Sequence, residues 1–599
     1  MKEGIFIMIN GKIQNNANLI WSIADVLTGA YKPHEYGKVI LPLTVIKRFD
    51  CILEPTHEQV LEKLSKNASM SPSNLDVLLK RTTKHQFYNT SKYTFKTLLE
   101  DAPDLKANLL QYLESFSPEV QGILKYYEFN TQIEKMANPD NGNILFAVLE
   151  KINDSKIDLH PNKISNIEMG YIFEELIRRF SESYAEEAGQ HYTPREVIKL
   201  MVNLLFSDDD EILSGDSKIK TIYDPACGTG GMLTVATETL AELNTSSRLE
   251  LFGQELNEET VAIAKSDVLI KGFKSENIRH GNTLSNDTFK GSSFDYIISN
   301  PPFGREWKKE KDAVIEEYKD GFAGRFGIYN AYNTGKGDKF PDVSDSQTLF
   351  LATAISKMKD IKDGGSRVAI IHNGSPLFSG DAGSAVSNLR RYLFENDLIE
   401  AIVQLPNDIF YNTGITVYIW VLSNKKPLIK KGKVQLIDAS NFYEKLRKNL
   451  GNKRVEISDP DQINAITKVF AEFKTSEISK IFNNIDFGYI KTTINQPLRN
   501  EKGQIVRNKK GLTEIDKEKT DTENIPLSRD FDEYIKNEIL VYTPDAVIDH
   551  SKDIIGYDIP FTRHFYKFTQ PRDSSEIYAE IKELEQEEEF LMKELFGNE

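Results

Sequence analysis

The chain has 599 residues with 74 Lys and Arg against 90 Asp and Glu, a formal net charge of −16, and it is 40% hydrophobic and 27% charged. Those fractions are ordinary for globular proteins and exclude a disordered or fibrous chain, and the length suits about three or four domains. Two cysteines, Cys51 and Cys227, are too few for a disulfide framework or a Cys-rich zinc site, so a reducing, cytoplasmic compartment is expected.

In chain order, segment 1–10 has too short an apolar run for a signal peptide, and no stretch approaches a membrane span. From about 15 apolar residues recur at helical spacing, as in 18–27, 40–49 (with Pro42 near its start), 107–113 and 144–152. An all-helical domain over 1–165 is predicted. From 166 to 475 short apolar runs alternate with helical stretches: 219–223, 249–252, 294–298, 367–371, 398–403 and 415–422 read as strands. Such alternation argues for βαβ units and a parallel sheet covered on both faces. Segment 304–345 interrupts it with about forty residues that read as irregular, a length usually functional or disordered. A C-terminal region, 476–599, comes last. Its 498–523 stretch is polar, Lys-rich and punctuated by Gly, and reads as an exposed loop or linker. Ile577, Ile581, Leu584, Leu591 and Leu595 then form a short 4-3 stripe, broken at Glu588. It suits either packing within its own domain or docking onto a partner's helix. No internal repeat is expected.

Three motifs carry chemistry. Asp224-Pro225-Ala226-Cys227-Gly228-Thr229-Gly230-Gly231 follows a predicted strand and opens a helix. Its glycines allow a tight turn and close ligand approach, and the helix start exposes N–H groups. The spacing is neither G-x-G-x-x-G nor a Walker loop. Glu255 ends the next strand, where an acidic residue of a nucleotide-binding fold accepts hydrogen bonds from ribose hydroxyls. Ser299-Asn300-Pro301-Pro302-Phe303 follows a third strand. Two prolines hold the backbone extended and leave the Pro301 carbonyl free. With the Asn300 side-chain oxygen it offers two neutral acceptors to an exocyclic amine, and Phe303 offers a stacking face. Each motif alone also reads as a simple turn or strand exit. Just beyond lie Arg305, Lys308, Lys309 and Lys311 around Trp307, either a phosphate-contacting cluster or a solvated loop.

The glycine loop followed by Asn300-Pro301-Pro302-Phe303 resembles the amino-group DNA methyltransferases of the N6-adenine type, in their gamma order. Gly189-Gln190-His191-Tyr192-Thr193-Pro194-Arg195 looks like the segment of that family that closes over S-adenosylmethionine. The helical N-terminus with segments 373–380, 404–410 and 554–563 narrows the resemblance, over nearly the whole chain, to modification (M) subunits of type I restriction–modification systems. The resemblance implies an α/β fold: a Rossmann-like S-adenosylmethionine-dependent methyltransferase sheet with an N-terminal all-helical domain and a C-terminal helical extension.

It implies that Gln190, His191, Tyr192, Thr193, Pro194 and Arg195 contact the cofactor. Asp224, Pro225, Ala226, Gly228, Thr229, Gly230 and Gly231 would hold its methionine portion, and Glu255 its ribose. Asn282, where many relatives carry Asp, and Thr283 would lie near its adenine. Asn300, Pro301, Pro302 and Phe303 would polarise and stack a flipped adenine, with no metal needed. The partners implied are double-stranded DNA, a specificity (S) subunit in an M2S1 complex and a restriction (R) subunit, without a membrane. An acidic chain fits an S subunit that supplies much of the DNA grip. Two other readings stay open: a methyltransferase for an RNA base or protein glutamine, and a non-catalytic scaffold that binds S-adenosylmethionine.

Overall fold

The computed structural model describes residues 2–183, 193–214, 217–332, 339–411, 413–566 and 572–596. The chain divides into two compact units, Met1–Ile559 and Pro560–Glu599.

The first part of the larger unit is helical. Helix Gly37–Leu53 buries fourteen of its residues, because apolar side chains occupy every face of it. Pro42 lies inside this helix rather than near its start. Fully buried Arg48 ties the helix to the 159–166 segment. Its guanidinium donates to the carbonyls of Leu159 (2.5 Å) and Ile164 (2.8 Å) and to Asn166 Oδ1 (2.6 Å). The helical core does not stop at 165. Met169, Ile172, Phe173, Leu176 and Phe180 of helix Asn166–Ser183 are part of it. So are Ala262, Ile263, Leu269 and Ile270 of helix Glu258–Ile270, which seats this layer on the sheet region.

The sheet has nine strands: β1 (Ile219–Asp224), β2 (Arg248–Glu255), β3 (Ile278–His280), β4 (Tyr296–Ser299), β5 (Arg367–Asn373), β6 (Ile399–Gln404), β7 (Val417–Ser423), β8 (Lys433–Asp438) and, after the β9–β10 ribbon (Glu444–Leu450, Lys453–Glu456), β11 (Ser479–Asn483). Their order is β11-β8-β6-β7-β5-β4-β1-β2-β3. Five neighbours, β3 to β5, are parallel, but β7 runs antiparallel between β5 and β6, and β11 antiparallel to β8. The sheet, expected to be parallel, is therefore mixed. No helix occurs among the described residues of 405–416, and a parallel return requires a crossover of a dozen or more residues, usually helical. The sheet also runs on to Asn483, past 475. β4 and β5 bury every side chain except the half-exposed Asn373, as strands covered on both faces must.

The 304–345 segment contains helix Lys311–Lys319 and short 3-10 turns. Its ends are zipped together. Buried Trp307 donates through Nε1 to the Asp342 carbonyl (2.9 Å), and its backbone N–H reaches Val343 (3.0 Å). Buried Arg325 pairs with Glu317 and donates to the Thr283 and Leu284 carbonyls, so the insertion is fastened to the loop after β3.

Beyond β11 lies a smaller antiparallel sheet of β12 (Gly488–Pro497), β13 (Ile515–Pro526), β14 (Val547–Ile548) and β15 (Ile554–Tyr557). Residues 515–523 of the expected 498–523 loop are thus strand. β13 reads Ile-Asp-Lys-Glu-Lys-Thr-Asp-Thr-Glu-Asn-Ile-Pro, polar on both faces and mostly exposed, so no alternation marks it. Buried Arg390 of helix Ala385–Glu395 anchors this sheet by donating to the Tyr557 carbonyl and to Asp558 (2.8 Å). The second unit contains helix Ser574–Phe596, on which Ile577, Ile581, Leu584 and Leu591 are exposed. The Leu595 side chain lies outside the described residues.

Candidate active site

Chain order reverses at β1, which has β2 on one side and β4 on the other. In open α/β sheets the crevice outside the carboxyl ends of such strands receives ligands. A cleft of about 950 Å³, open mouth included, lies here. Its walls include Asp224 from the end of β1, Glu255 from the end of β2 and Asn300 after β4.

The glycine loop follows from local sequence. Gly230 sits in the left-handed region (φ +80°) and caps helix Gly231–Leu243. Gly253 of β2 faces the loop so closely that an added Cβ would lie 2.8 Å from Cys227 Sγ. Glu255 pins the loop, its Oε2 accepting the Gly228 N–H (3.0 Å) and its Oε1 the Asn257 N–H (2.9 Å). Each carboxylate oxygen retains a second lone pair. Thr283 Oγ1 donates to the Pro225 carbonyl, which joins the loop after β3 to the same wall.

Asp224 is fully buried. Its Oδ1 accepts the Ala226 N–H (3.0 Å) and the Ser299 hydroxyl (2.9 Å), while Oδ2 has no partner. Burial pushes its carboxyl up to about 7; the Ala226 and Ser299 hydrogen bonds pull it down, and the Glu255 charge adds to the rise. Asn300 is the second incomplete group. Its Nδ2 donates to Thr193 Oγ1 (2.9 Å), and its buried Oδ1 has no partner. An unpaired buried acceptor costs about 1–3 kcal/mol, so each of these oxygens marks a place for a donor.

Of the other expected residues, Thr193, Pro225, Ala226, Gly228, Thr229, Gly231, Asn282, Thr283 and Pro302 line the cleft. Gly230 serves the turn and packs against Ala264. Pro301 is buried, and Phe303 packs half-buried against the sheet core rather than in the cleft wall. Pro194 caps helix Arg195–Phe206. Arg195 turns elsewhere, pairing with Glu238 and lying 4.1 Å from the Tyr171 ring, because a carboxylate and an aromatic face await it there. Gln190, His191 and Tyr192 lie outside the described residues. Arg305 stands exposed at the cleft mouth, and Lys308, Lys309 and Lys311 are exposed beyond it.

The cleft also contains groups not foreseen from the motifs: Ile198, Met232, Leu256, Leu284, Glu310, Ser346 and Phe350. Glu310 matters most. It is buried and accepts from Asn282 Nδ2 (2.6 Å), while Asn282 Oδ1 accepts the Leu284 N–H (3.0 Å). The Asn282 amide is therefore already engaged, and a carboxylate from the insertion stands beside it. Asn282 itself is the only sequence signal, as an amide where the resembled family has an acid; nothing in the spacing points to 310.

The family model described as N-6 DNA Methylase matches residues 165–495. The chain belongs to this family. The N-6 DNA methylase match ends inside β12, just past the nine-stranded sheet, and a second model, the HsdM N-terminal domain, covers residues 16–152 of the helical part. Among curated relatives, the Type I restriction enzyme MjaIX methylase subunit of Methanocaldococcus jannaschii is 25% identical over 508 residues, 79% of this chain and 80% of that one. The MjaVIII methylase subunit of the same organism is 31% identical over 317 residues, 51% of this chain and about half (48%) of its own length. Among solved structures, the type I restriction-modification system methyltransferase subunit from Streptococcus thermophilus shares the fold, with a TM-score of 0.60 at 23% identity over 79% of this chain and 97% of that one. Among the described residues no helix of this N-6 DNA methylase is long and apolar enough to cross a membrane.

Proposed function

We propose that this chain transfers a methyl group from S-adenosylmethionine to adenine N6 in double-stranded DNA, as the cytoplasmic modification subunit of a type I restriction–modification complex. One observation carries the reading: a buried amide oxygen with no partner, Asn300 Oδ1, shares a single cleft with the buried, half-satisfied carboxylate of Asp224.

The residues fit the cofactor. Asp224 Oδ2 awaits a donor, and an ammonium group would supply both the hydrogen bond and the countercharge. Asp224 with Pro225, Ala226 and Gly228–Gly231 would hold the methionine portion, Glu255 the ribose, and Asn282 and Thr283, with Glu310, the adenine side. Thr193 would close the same wall, with Gln190, His191 and Tyr192 before it and Pro194 and Arg195 supporting it. When bound, S-adenosylmethionine supplies an electrophilic methyl on a sulfonium.

The target adenine must leave the duplex, at a cost of a few kcal/mol, because its N6 is otherwise paired. Asn300 Oδ1 and the Pro301 carbonyl then accept the two N6 hydrogens and direct the nitrogen lone pair outward, while Pro302 keeps the chain extended; Phe303, packed on the sheet core, would have to turn toward the cleft to stack on the base. No strong base is needed, because N6 gives up its extra proton to water after it has taken the methyl, so catalysis is positioning and electrostatic complementarity. The deciding experiment gives the chain, co-purified with its S subunit, labelled methyl donor together with duplex DNA, RNA and a protein mixture. Label entering DNA alone, at adenine N6, is the expected result; label in RNA or protein, or in nothing, would overturn it.

Two contacts belong to the proposal. Arg305, Lys308, Lys309 and Lys311 would meet phosphates, so their joint replacement by glutamine should weaken DNA binding and flatten its salt dependence; unchanged binding removes that contact. The exposed stripe of Ile577, Ile581, Leu584 and Leu591 would dock on the S subunit of an M2S1 assembly, which the R subunit joins. Deleting 576–599 should then abolish co-purification with S, and intact co-purification rules the docking out.

A further inference from the structure

The hairpin β12–β13 does not close in a simple loop. Residues 499–504 read Arg-Asn-Glu-Lys-Gly-Gln and residues 507–512 read Arg-Asn-Lys-Lys-Gly-Leu, a repeat with a period of eight. The repeat extends into the structure. Asn500 Oδ1 accepts the N–H groups of Lys502 and Gln504 (both 3.0 Å), and Asn508 Oδ1 those of Lys510 (2.9 Å) and Leu512 (3.0 Å). The Gly503 N–H reaches the Asn500 carbonyl and the Gly511 N–H the Asn508 carbonyl, each at 2.9 Å, and both glycines have φ +77°. Arg499 and Arg507 each donate to the glycine carbonyl four residues on, at 2.6 and 3.1 Å. Both are hydrogen-bonded four-residue turns that end on a left-handed glycine. Bridges Arg499–Ile505 and Arg507–Thr513 make the segment a short meander with one turn at each end of its middle strand.

The meander is charged unlike the rest of the chain. Residues 498–513 carry five Lys or Arg against Glu501, a net of +4 on a chain of −16, whereas 514–526 carry five acids against two lysines. Arg499 pairs with Asp545, but Lys502, Lys509 and Lys510 are exposed, and no ion pair holds them among the described residues. Two identical turns therefore hold cations at both ends of a strand, about 10 Å apart by strand rise. That is the span of about three base pairs. The small sheet is fastened at the Gly488–Tyr557 end, the end of β12 away from the meander, where Arg390 bridges the Tyr557 carbonyl and Asp558 to the Pro376 (3.0 Å) and Ser379 (2.9 Å) carbonyls. That segment leaves the carboxyl end of β5, which runs parallel to β4, so it shares the end of the sheet on which Asn300 stands.

We infer that this tandem-turn meander is a second, sequence-independent clamp on the phosphates of duplex DNA, acting through Lys502, Lys509 and Lys510. The inference rests on DNA being the substrate. Its test is the full-length Lys502→Gln/Lys509→Gln/Lys510→Gln chain, assembled with its S subunit and titrated against a fluorescent DNA duplex between about 50 and 200 mM salt. The slope of log K against log salt should fall by about two to three, with affinity about tenfold lower mid-range. The rate at saturating DNA should hold, and the matching triple Lys→Arg variant should bind like wild type. An unchanged slope overturns the clamp, as does wild-type binding with no salt dependence, or a glutamine variant that loses only an acidic protein partner. Methyl transfer by the wild type in the same samples separates the two readings: transfer to DNA with a lysine-independent slope sinks the clamp alone, and absence of transfer sinks the proposed activity.

Discussion

Alanine in place of Asn300 should cut single-turnover methyl transfer about 100- to 1000-fold while leaving donor binding within a few-fold of wild type. The size follows the cost of removing one preorganised hydrogen-bonding group aimed at a reacting centre. The direction follows from two atoms. Nδ2 donates to Thr193 Oγ1 at 2.9 Å, and Oδ1 is left as the unpaired acceptor. Donor binding should survive, because Asp224 and Glu255 reach the cleft from β1 and β2 independently of Asn300. Thr193→Val should act in the same sense but more weakly, since it removes the partner of Nδ2 without deleting the oxygen. Rapid-quench assays with labelled donor and a duplex substrate read both variants. A rate within threefold of wild type for the alanine variant would mean that the unpaired oxygen serves no reacting amine.

The features legible in the sequence were those that short stretches encode by themselves. Asp224 and Glu255 end strands and Asn300 directly follows one, and a strand exit into Pro, as at 224 and 300, is visible in a handful of residues. The α/β class was visible through the alternation that builds β1 to β6. The hidden features depended on residues distant in the chain. Glu310, Ser346 and Phe350 enter the cleft because Trp307 and Arg325 fold the insertion back onto the loop after β3, and no spacing announces those contacts. Arg195 looked like a ligand contact until Glu238 and Tyr171 stood opposite it. β13 lacked an apolar face, so its hydrogen bonds to β12 left no trace in the pattern. The eight-residue repeat is faint in the sequence because only its turn residues recur, while positions such as Glu501 and Lys509 differ in charge.

Cofactor affinity should depend on pH through Asp224. In the free protein burial lifts this carboxyl from 3.8 to about 7, so the folded chain keeps a proton through a window in which the unfolded chain has already lost it. Raising the pH across that window therefore removes stability from the free protein, and the loss is complete above about 7. A bound cationic amine reverses the preference by stabilising the carboxylate, which lowers the carboxyl's affinity for its proton. Below about 7 binding must then expel the proton, so affinity should weaken toward tenfold for each pH unit, and above about 8 it should be flat. Calorimetry in buffers of different ionisation heat should detect proton release near pH 6 and none near pH 8.5. Asp224→Asn should bind at least about 30-fold more weakly at high pH, the lower end of the cost of breaking a buried charged pair, and should lose the pH dependence altogether. Wild-type affinity that stays constant from pH 6 to 8.5, with no proton exchanged, would mean that the free carboxylate is not what meets the cofactor's charge, and the assignment of the β1 end to the methionine portion would fall with it.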